Sequence, residues 1–309
     1  MNPLPAKLPA GKLEVAKWMI DFDMKLKEND EEQAHERLMA EYENYTGSDE
    51  VISSHEIWEE MKSEPPAELL KSGIGKLDEI LGGFLKGHLV VIAAPTKNGK
   101  TSFCVELTIR MKDRNPLWFP FEEPAKELIQ KFLNRKEDPP LFFSPKRMSE
   151  QTLSWIEKRI IEAKVKYGTQ IVFIDHLHFI VPFSSERQDL LIGEVMRKLK
   201  TMAKQWDVCI FIISHLKKTK MDREPDLEDL RDSSFTAQEA DTVILLWRTT
   251  KRENGKVVIL DEVNVSIQAN RRTGRTGNVP MRFDAGRFLE IDKKYEDTRN
   301  NEIFERAGF

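Results

Sequence analysis

The fold of this chain is decided by the stretch Ala94-Pro95-Thr96-Lys97-Asn98-Gly99-Lys100-Thr101. The apolar run 89–93 precedes it, and Ser102 opens a segment with helical character directly after it. A buried strand, a phosphate-sized loop, Gly-Lys-Thr and a helix, in this order, are the context that a P-loop requires. The backbone N–H groups of such a loop and the N-terminus of its helix attract an anion. The sequence therefore predicts a nucleotide-binding site here.

Two side chains of the loop would carry most of its chemistry. Lys100 would reach the outer phosphates, and the Thr101 hydroxyl would hold Mg²⁺. The expected cofactors are therefore ATP and Mg²⁺. Ala94 departs from the motif, because it stands where the first glycine usually lies, and alanine fits there only if its φ is negative. The candidate nucleotide-binding residues are Ala94, Pro95, Thr96, Lys97, Asn98, Gly99, Lys100, Thr101 and Ser102.

Charge is distributed unevenly along the chain. The 309 residues carry a net charge of −4, but residues 1–64 carry −9 and the remainder carries +5. This asymmetry indicates an acidic appendage on a mildly basic body. A mildly basic body is compatible with nucleic-acid binding without proving it.

Composition also indicates the compartment. Hydrophobic residues make up 40% of the chain, which is ample for a core. Cys104 and Cys209 lie in apolar segments without neighbours at metal-ligand spacing, so we expect a reducing cytosol and no zinc site. The longest apolar runs are strand-sized, and residues 1–11 lack the apolar region of a signal peptide. We therefore expect a cytoplasmic protein, or one in the host cytoplasm if it is viral, without a membrane partner.

Periodicity divides the chain into a helical N-terminal region and an alternating body. Helical spacing predicts helices over 12–28, 30–46 and a short one near 55–62, before Pro65-Pro66 breaks the chain. The body then alternates between apolar strands and helical stretches, which predicts a mostly parallel sheet flanked by helices. The predicted strands are 89–94, 117–121, 171–174, 208–213, 242–247 and 263–269, and the predicted helices between them include 124–135, 149–167 and 188–206. The strands after 242 should form an antiparallel edge with a hairpin near Asn254-Gly255.

Carboxylates follow two of the predicted strands. Asp175 ends the apolar run 171–174, where an Asp of a P-loop enzyme orders the metal and its waters. Glu122 and Glu123 follow the strand at 117–121, and either could polarise an attacking water from the edge of a strand adjacent to the P-loop. Both could equally be acids favoured by the dipole of the following helix.

Histidines follow two strands as well. His215 ends the strand at 208–213 and could sense the γ-phosphate, although a histidine at a strand end is more often structural. His176 and His178 flank the end of the Asp175 strand. Because no third ligand is evident in the sequence, we do not expect this pair to bind a metal.

Two polar segments are candidates for contacts with other molecules. Five arginines and one acid fall within 271–287, which suits an arginine finger, a nucleic-acid contact or a solvated basic edge. The long polar connection 217–234 follows the His215 strand, and connections of this kind are often functional. Its serines and backbone N–H groups could hold phosphates without reading bases.

The order of these motifs resembles the ATPase domain of DnaB-like replicative helicases, the RecA-fold hexameric ring helicases of bacteria, phages and mitochondria. The resemblance covers about residues 73 to 291. It rests on Gly73-Ile74-Gly75-Lys76-Leu77-Asp78 with Gly82-Gly83-Phe84, on Phe121-Glu122-Glu123-Pro124, on Ile174-Asp175-His176-Leu177-His178, and on Asp229-Leu230-Arg231-Asp232-Ser233-Ser234 with Gln238-Glu239-Ala240-Asp241.

The resemblance implies roles for the residues that match. It selects Glu122 over Glu123 as the catalytic glutamate and places His215 at the phosphate-sensing position. It also implies that one loop lines a central channel and follows the backbone of single-stranded DNA. The residues of that loop are Arg231, Asp232, Ser233 and Ser234.

The resemblance also implies an arginine finger that enters the neighbouring subunit. Arg271 fits the phage-like spacing and Arg272 the bacterial spacing, so either could be the finger. The lysine expected two residues earlier is missing in both alignments, since Ala269 or Asn270 stands there. Activation by the neighbour should therefore be weaker, or depend on another base.

We interpret the chain as an α/β RecA-like P-loop NTPase with a small helical N-terminal region. The expected divisions are 1–68 with a linker helix that resembles one packing on the adjacent subunit, 69–294 as the ATPase domain, and 295–309 as a charged tail. Residues 1–64 are too short for a primase and lack its cysteines.

The expected function is an ATP-dependent DNA helicase acting as a homo-oligomer, expected to be a hexamer, with single-stranded DNA and a primase or helicase loader as partners. The alternatives are a RecA-like or KaiC-like ATPase that does not unwind, a recombinase, or a nucleotide-binding adaptor.

Overall fold

The computed structural model describes most of the chain, in two compact units. The described residues are 31–43, 45–47, 50–135, 138–182, 188–216, 224–230, 233–253 and 256–291. The units are Met1–Pro66 and Ala67–Phe309. The predicted helix 12–28 and the predicted tail 295–309 lie outside the described residues.

The first unit contains helices α1 (Glu31–Glu43) and α2 (Ser54–Ser63). A capping box starts α2, because the Ser53 hydroxyl accepts the backbone N–H of Glu56 and the Glu56 carboxylate accepts the backbone N–H of Ser53 at 2.6 Å. No residue of α2 is buried, and the side chain of Trp58 is 54% exposed beside Ile57 and Met61. Within its own unit, α2 therefore presents an uncovered apolar face.

The second unit is built on one eight-stranded sheet in the order β2-β3-β4-β1-β5-β6-β7-β8. The strands are β1 (Leu89–Ala94), β2 (Leu117–Pro120), β3 (Ile171–Asp175), β4 (Cys209–His215), β5 (Thr242–Glu253), β6 (Lys256–Asn270), β7 (Gly277–Asp284) and β8 (Arg287–Glu290). The five strands from β2 to β5 run parallel, and β6, β7 and β8 continue the sheet antiparallel. The predicted mostly parallel sheet with an antiparallel edge is confirmed.

The parallel strands are buried on both faces, which explains their near-continuous Ile, Val and Phe. One cluster of buried side chains lies on each face, with Phe211 in the first and Ile212 in the second. Register aligns Ala94 of β1 with His215 of β4, and Pro120 of β2 with Asp175 of β3. The polar residues after these strands therefore lie along one edge of the sheet.

Six helices are described in this unit. They are α3 (Gly75–Leu81), α4 (Lys100–Arg110), α5 (Ala125–Leu133), α6 (Leu153–Tyr167), α7 (Gln188–Gln205) and α8 (Ser233–Glu239). The predicted start of α6 at 149 is wrong by four residues, because the hydroxyl of Thr152 accepts the backbone N–H of Trp155 and caps the helix there. No helix of the described ranges combines the length and the apolar character that crossing a bilayer takes.

The antiparallel edge is larger than the sequence predicts. The strands expected at 242–247 and 263–269 extend to Glu253 and back to Lys256, and β7 and β8 are not predicted at all. The expected turn residues Asn254 and Gly255 lie outside the described residues. Phe288 of β8 packs against Phe103 of α4 with ring centroids 5.1 Å apart, so this edge curls over the P-loop helix.

A buried ion pair also anchors α4 to this edge. Glu106 receives hydrogen bonds from Arg110 at 2.7 Å, from the backbone N–H of Phe288 at 3.3 Å, and from the guanidinium of Arg135. Arg135 is 2% exposed, although it follows α5 far along the chain. The helix that follows the P-loop is therefore held by packing and charge together.

Candidate nucleotide-binding and catalytic site

The P-loop joins β1 to α4 through a residue in the left-handed region. Gly99 has φ 86°, and a Cβ there would lie 3.2 Å from the ring of Phe288, so a side chain would be strained in conformation and tightly packed. Ala94 ends β1 opposite His215 and has a negative φ. Alanine therefore fits at this position, where the motif usually has glycine. The Asn98 carboxamide oxygen accepts the backbone N–H of Arg248 at 3.0 Å, which ties the loop to β5.

Lys100 is folded back into the loop. Its ammonium donates to the carbonyl oxygens of Ala94 at 3.2 Å and Pro95 at 3.4 Å. Burial lowers the pKa of Lys100, while the nearby carboxylates of Asp175 and Glu122 raise it. A phosphate would offer this buried cation a charged partner in place of neutral carbonyls.

Asp175 and Thr101 meet where a metal would lie. The Thr101 hydroxyl donates to Asp175 Oδ2 at 2.8 Å. Asp175 is 4% exposed, and burial raises its pKa to about 6. Its other oxygen, Oδ1, is buried and has no hydrogen-bond partner within the part of the chain that the structure describes. A buried carboxylate oxygen without a donor, next to a hydroxyl, fits a small hard cation such as Mg²⁺.

Glu122 is held against the end of β3 by its backbone. The N–H groups of Phe121 and Glu122 both donate to the carbonyl oxygen of Asp175, at 2.8 and 3.0 Å. The expectation that its strand is adjacent to the P-loop strand is wrong, because β3 and β4 lie between β2 and β1. The chain beyond β2 instead folds over β3, which brings Glu122 close enough to act on the charges of Asp175 and Lys100.

The two glutamates are separated by their partners. Glu123 forms an ion pair with Lys131 of α5 at 2.6 Å. Glu122 instead lies 3.9 Å from His176, measured from Oε2 to Nε2, with its side chain 44% exposed. The geometry therefore assigns Glu123 to helix α5 and Glu122 to the edge of the sheet.

Three side chains with metal-ligating atoms lie together at this edge. The rings of His176 and His215 are 4.5 Å apart at 88°, and ligand atoms of Glu122, His176 and His215 lie within 4.8 Å of one another. His178, whose ring lies 6.3 Å from that of His215, is not part of this group. The sequence offers no third ligand for the pair His176 and His178, and the structure groups His176 instead with Glu122 after β2 and His215 at the end of β4.

The two arginines at the end of β6 both bind backbone of their own chain. The guanidinium of Arg271 donates to the carbonyl oxygen of Gln238, and that of Arg272 donates to the carbonyl oxygen of Leu81 at the end of α3. A Cβ at Gly82 would collide with Arg272, so this glycine makes room for the guanidinium.

The candidate DNA-binding loop is only partly described. Arg231 and Asp232 lie outside the described residues, as do the side chains of Ser233 and Ser234 at the start of α8. Their contact with DNA stays a prediction. Asp241, further along the same motif, has a structural role, because its carboxylate accepts the backbone N–H of Leu89 at 2.7 Å and also binds Lys200.

A cavity of about 330 Å³ beside the P-loop is a feature that the sequence does not predict. It lies between α4, the end of α5 and the turn before β8, and it is lined by Ser102, Val105, Lys131, Asn134, Arg135, Ala285 and Gly286. The Nε and Nη1 atoms of Arg135 are buried and have no hydrogen-bond partner among the described residues. Only the folding of distant segments brings these residues together.

Comparison with protein families identifies the chain. The family model described as "DnaB-like helicase C terminal domain" matches residues 70–139 and 134–290. This chain belongs to that family. The matched ranges include the P-loop and the Asp175 strand end, and the membership confirms the resemblance drawn from the sequence.

Curated proteins and a solved structure agree with this membership. A "Probable replicative DNA helicase" of Trieres chinensis is 26% identical over 81% of this chain and 64% of its own length. The "Replicative DNA helicase DnaB" of Geobacillus stearothermophilus is 22% identical over 74% of this chain and 58% of its own length. A solved structure described as a DnaB-like replicative helicase and its interactions with primase superposes with a TM-score of 0.67 at 23% identity, covering 93% of this chain and 81% of that chain.

These comparisons bear on the fold and on how much of each relative the chain covers. The RecA-like α/β fold is confirmed by the superposition and by the sheet itself. The chain spans less than two thirds of the length of these two curated relatives.

Proposed function

We propose that this chain is an ATP-dependent DNA helicase of the replicative type, which translocates on single-stranded DNA as a ring-shaped homo-oligomer. The observation that carries the proposal is the meeting of four groups at one sheet edge. Lys100 and Thr101 begin α4, Asp175 ends β3 and bonds Thr101, and Glu122 is fixed over Asp175 by its backbone. These are the groups that binding a nucleoside triphosphate and cleaving it with water require.

The geometry suggests how hydrolysis would proceed. Lys100 would leave its carbonyl partners and bind the outer phosphates. Thr101 and Asp175 would hold Mg²⁺, which offsets negative charge on the β- and γ-phosphates when bound. Glu122 would accept a proton from the attacking water, since it is partly exposed at the open side of the site. His215, at the end of the strand beside β1, would contact the γ-phosphate and respond to its loss.

Assembly would complete the site. An arginine from the next subunit, Arg271 or Arg272, would stabilise charge on the transferred phosphoryl group. Such a finger raises the rate by ~10³–10⁵, so a single subunit should be a poor ATPase. The apolar face of α2 at Ile57, Trp58 and Met61 is a surface that an adjacent subunit would cover.

DNA contact would come from the channel loop. Arg231, Asp232, Ser233 and Ser234 would follow the backbone of single-stranded DNA, which needs hydrogen-bond donors to phosphate and little base recognition. A primase or a helicase loader is the further partner that we propose, because one structural neighbour is described with its interactions with primase. We place the protein in the cytoplasm.

One experiment tests the proposal. ATP hydrolysis is measured across protein concentration, with and without single-stranded DNA, followed by unwinding of a forked duplex. We expect the turnover number to rise with assembly and with DNA. Hydrolysis indifferent to DNA would instead favour a KaiC-like switch or another non-unwinding ATPase, and no hydrolysis at any concentration would favour an adaptor.

A matched pair of variants assigns the base. Glu122→Gln should abolish hydrolysis and keep ATP binding, because the amide cannot accept the proton. Glu123→Gln removes the neighbouring carboxylate, which pairs with Lys131 outside the site. If Glu123→Gln abolishes hydrolysis and Glu122→Gln does not, the assignment of the base is wrong.

A further inference from the structure

Glu122, His176 and His215 form a group whose donor set Mg²⁺ does not prefer. In the proposed hydrolysis the oxygen atoms of Thr101 and Asp175 hold Mg²⁺, Glu122 accepts a proton and His215 contacts the γ-phosphate, so none of the three grouped residues binds a metal there. Two imidazoles and one carboxylate are instead the ligands that zinc-like cations prefer, whereas magnesium prefers oxygen. The Thr101 and Asp175 site would therefore prefer a different cation from the one that the group at His176 would prefer.

The distances suit such a cation. A tetrahedral zinc site holds its ligands at about 2.0–2.1 Å, which sets neighbouring ligand atoms about 3.3 Å apart. Here Glu122 Oε2 and His176 Nε2 are 3.9 Å apart, and the three ligand atoms all lie within 4.8 Å of one another. The ligand atoms would therefore have to approach one another by up to about 1.5 Å to reach that spacing. Three protein ligands leave a fourth position for water, the arrangement that open zinc sites adopt.

The ligands lie at the ends of ordered strands. Glu122 and His176 follow β2 and β3, and His215 is the last residue of β4, and these three strands are consecutive in the sheet. Hydrogen bonds to the Asp175 carbonyl fix the backbone at Glu122, and the ladder with β1 fixes His215. Little chain entropy would be lost on binding, because the segments that carry the ligands are already ordered.

We propose that Glu122, His176 and His215 bind a divalent cation of the zinc class, and that this cation inhibits ATP hydrolysis by occupying Glu122. The first half depends only on the ligand geometry. The second half rests on the proposed role of Glu122 as general base, since a carboxylate bonded to a cation is a poor proton acceptor. The free concentration of such a cation would then set the fraction of active sites.

Cobalt is the probe for binding, because tetrahedral Co²⁺ absorbs visible light strongly and six-coordinate Co²⁺ does so weakly. The full chain is titrated with Co²⁺ without nucleotide, and Zn²⁺ is then added. We expect visible bands that saturate at one equivalent and disappear with Zn²⁺. His176→Asn should weaken binding by more than about tenfold, the scale on which even second-shell changes act.

His55→Asn is the matched control, since it removes an exposed imidazole on α2 that is not among the three proposed ligands. It should leave the Co²⁺ spectrum unchanged. No tetrahedral bands in the wild-type chain, or bands that His176→Asn leaves intact, would overturn the proposed site.

Hydrolysis then tests the inhibition. Each variant is assayed with saturating Mg²⁺, with and without micromolar Zn²⁺, and compared with its own zinc-free rate. The wild-type and His55→Asn chains should lose most of their activity, and His176→Asn should retain its zinc-free rate at the same Zn²⁺ concentration. Co²⁺ binding without inhibition would refute the regulatory half alone. A chain that never hydrolyses ATP would refute the proposed function, while the Co²⁺ spectrum would still decide the metal site.

Discussion

Asp175→Asn should stabilise the protein in the absence of metal, and the effect should depend on pH. Burial raises the pKa of Asp175 from 3.8 to about 6. The folded protein holds this proton more tightly than the unfolded chain does. The free energy of unfolding therefore falls as pH rises from about 4 to about 6, and it stays low at higher pH.

The size of the effect follows from the shift. At 1.36 kcal/mol for each pKa unit, the ionised carboxylate costs about 3 kcal/mol well above pH 6. Asparagine has the same shape and can keep the bond to Thr101, but it still buries an amide, so we expect a net gain of about 2 kcal/mol. For a unit of this size that corresponds to about 4–8 °C in the melting temperature.

The assay is thermal unfolding in EDTA, without nucleotide, at a fixed protein concentration and at several pH values. Near pH 7.5 the variant should melt above the wild-type chain, and the difference should shrink as pH falls from about 6 towards 4. Asp113→Asn, which changes an exposed carboxylate, should not shift the melting temperature. An equal difference at every pH, or no difference at pH 7.5, would refute the argument that burial of this charge costs stability.

Three further predictions concern other parts of the site. Glu106→Gln leaves the buried Arg135 without its charge partner, so urea denaturation should show a loss of about 3–5 kcal/mol. Lys100→Met should abolish binding of a fluorescent ATP analogue, and retained binding would remove Lys100 from the phosphate site. If Arg271 is the finger, Arg271→Ala and Glu122→Gln should each be inactive alone and recover part of the ATPase rate when mixed, because mixed interfaces join an intact base to an intact arginine. An Arg271→Ala chain that hydrolyses ATP on its own would point to Arg272 instead.

The elements nearest the P-loop could be predicted because their signals are local. The β1 strand, the loop and α4 occur in one continuous stretch, and the Asp175 strand is a short apolar run with one carboxylate at its end. The mostly parallel arrangement of the sheet is also predicted by such apolar runs. By contrast, β7 and β8 alternate exposed and buried residues over short lengths, and little in their composition distinguishes them from loops.

The contacts that the sequence does not predict depend on the order in which the strands lie side by side in the sheet. The sequence contains Glu122, His176 and His215, but only the placement of β3 between β2 and β4 brings them together. The same holds for the pairing of Glu106 with Arg135, which joins α4 to a residue that follows α5 across 29 residues of chain. Choosing Glu122 over Glu123 required the family resemblance, since both follow the same strand.

The hydrogen bond between Asn98 and β5 connects the P-loop mechanically to the β5–β6 strand pair. The carboxamide oxygen of Asn98 accepts the backbone N–H of Arg248, and β5 pairs with β6 from there to Thr242 opposite Asn270, directly before the two arginines, with one register shift between Val243 and Ile244. Six strand residues span about 20 Å. A phosphate that moves Asn98 would therefore act on a paired ribbon whose far end precedes Arg271 and Arg272. Nucleotide binding would then reach these arginines through the strand pair, across the irregular register at Val243.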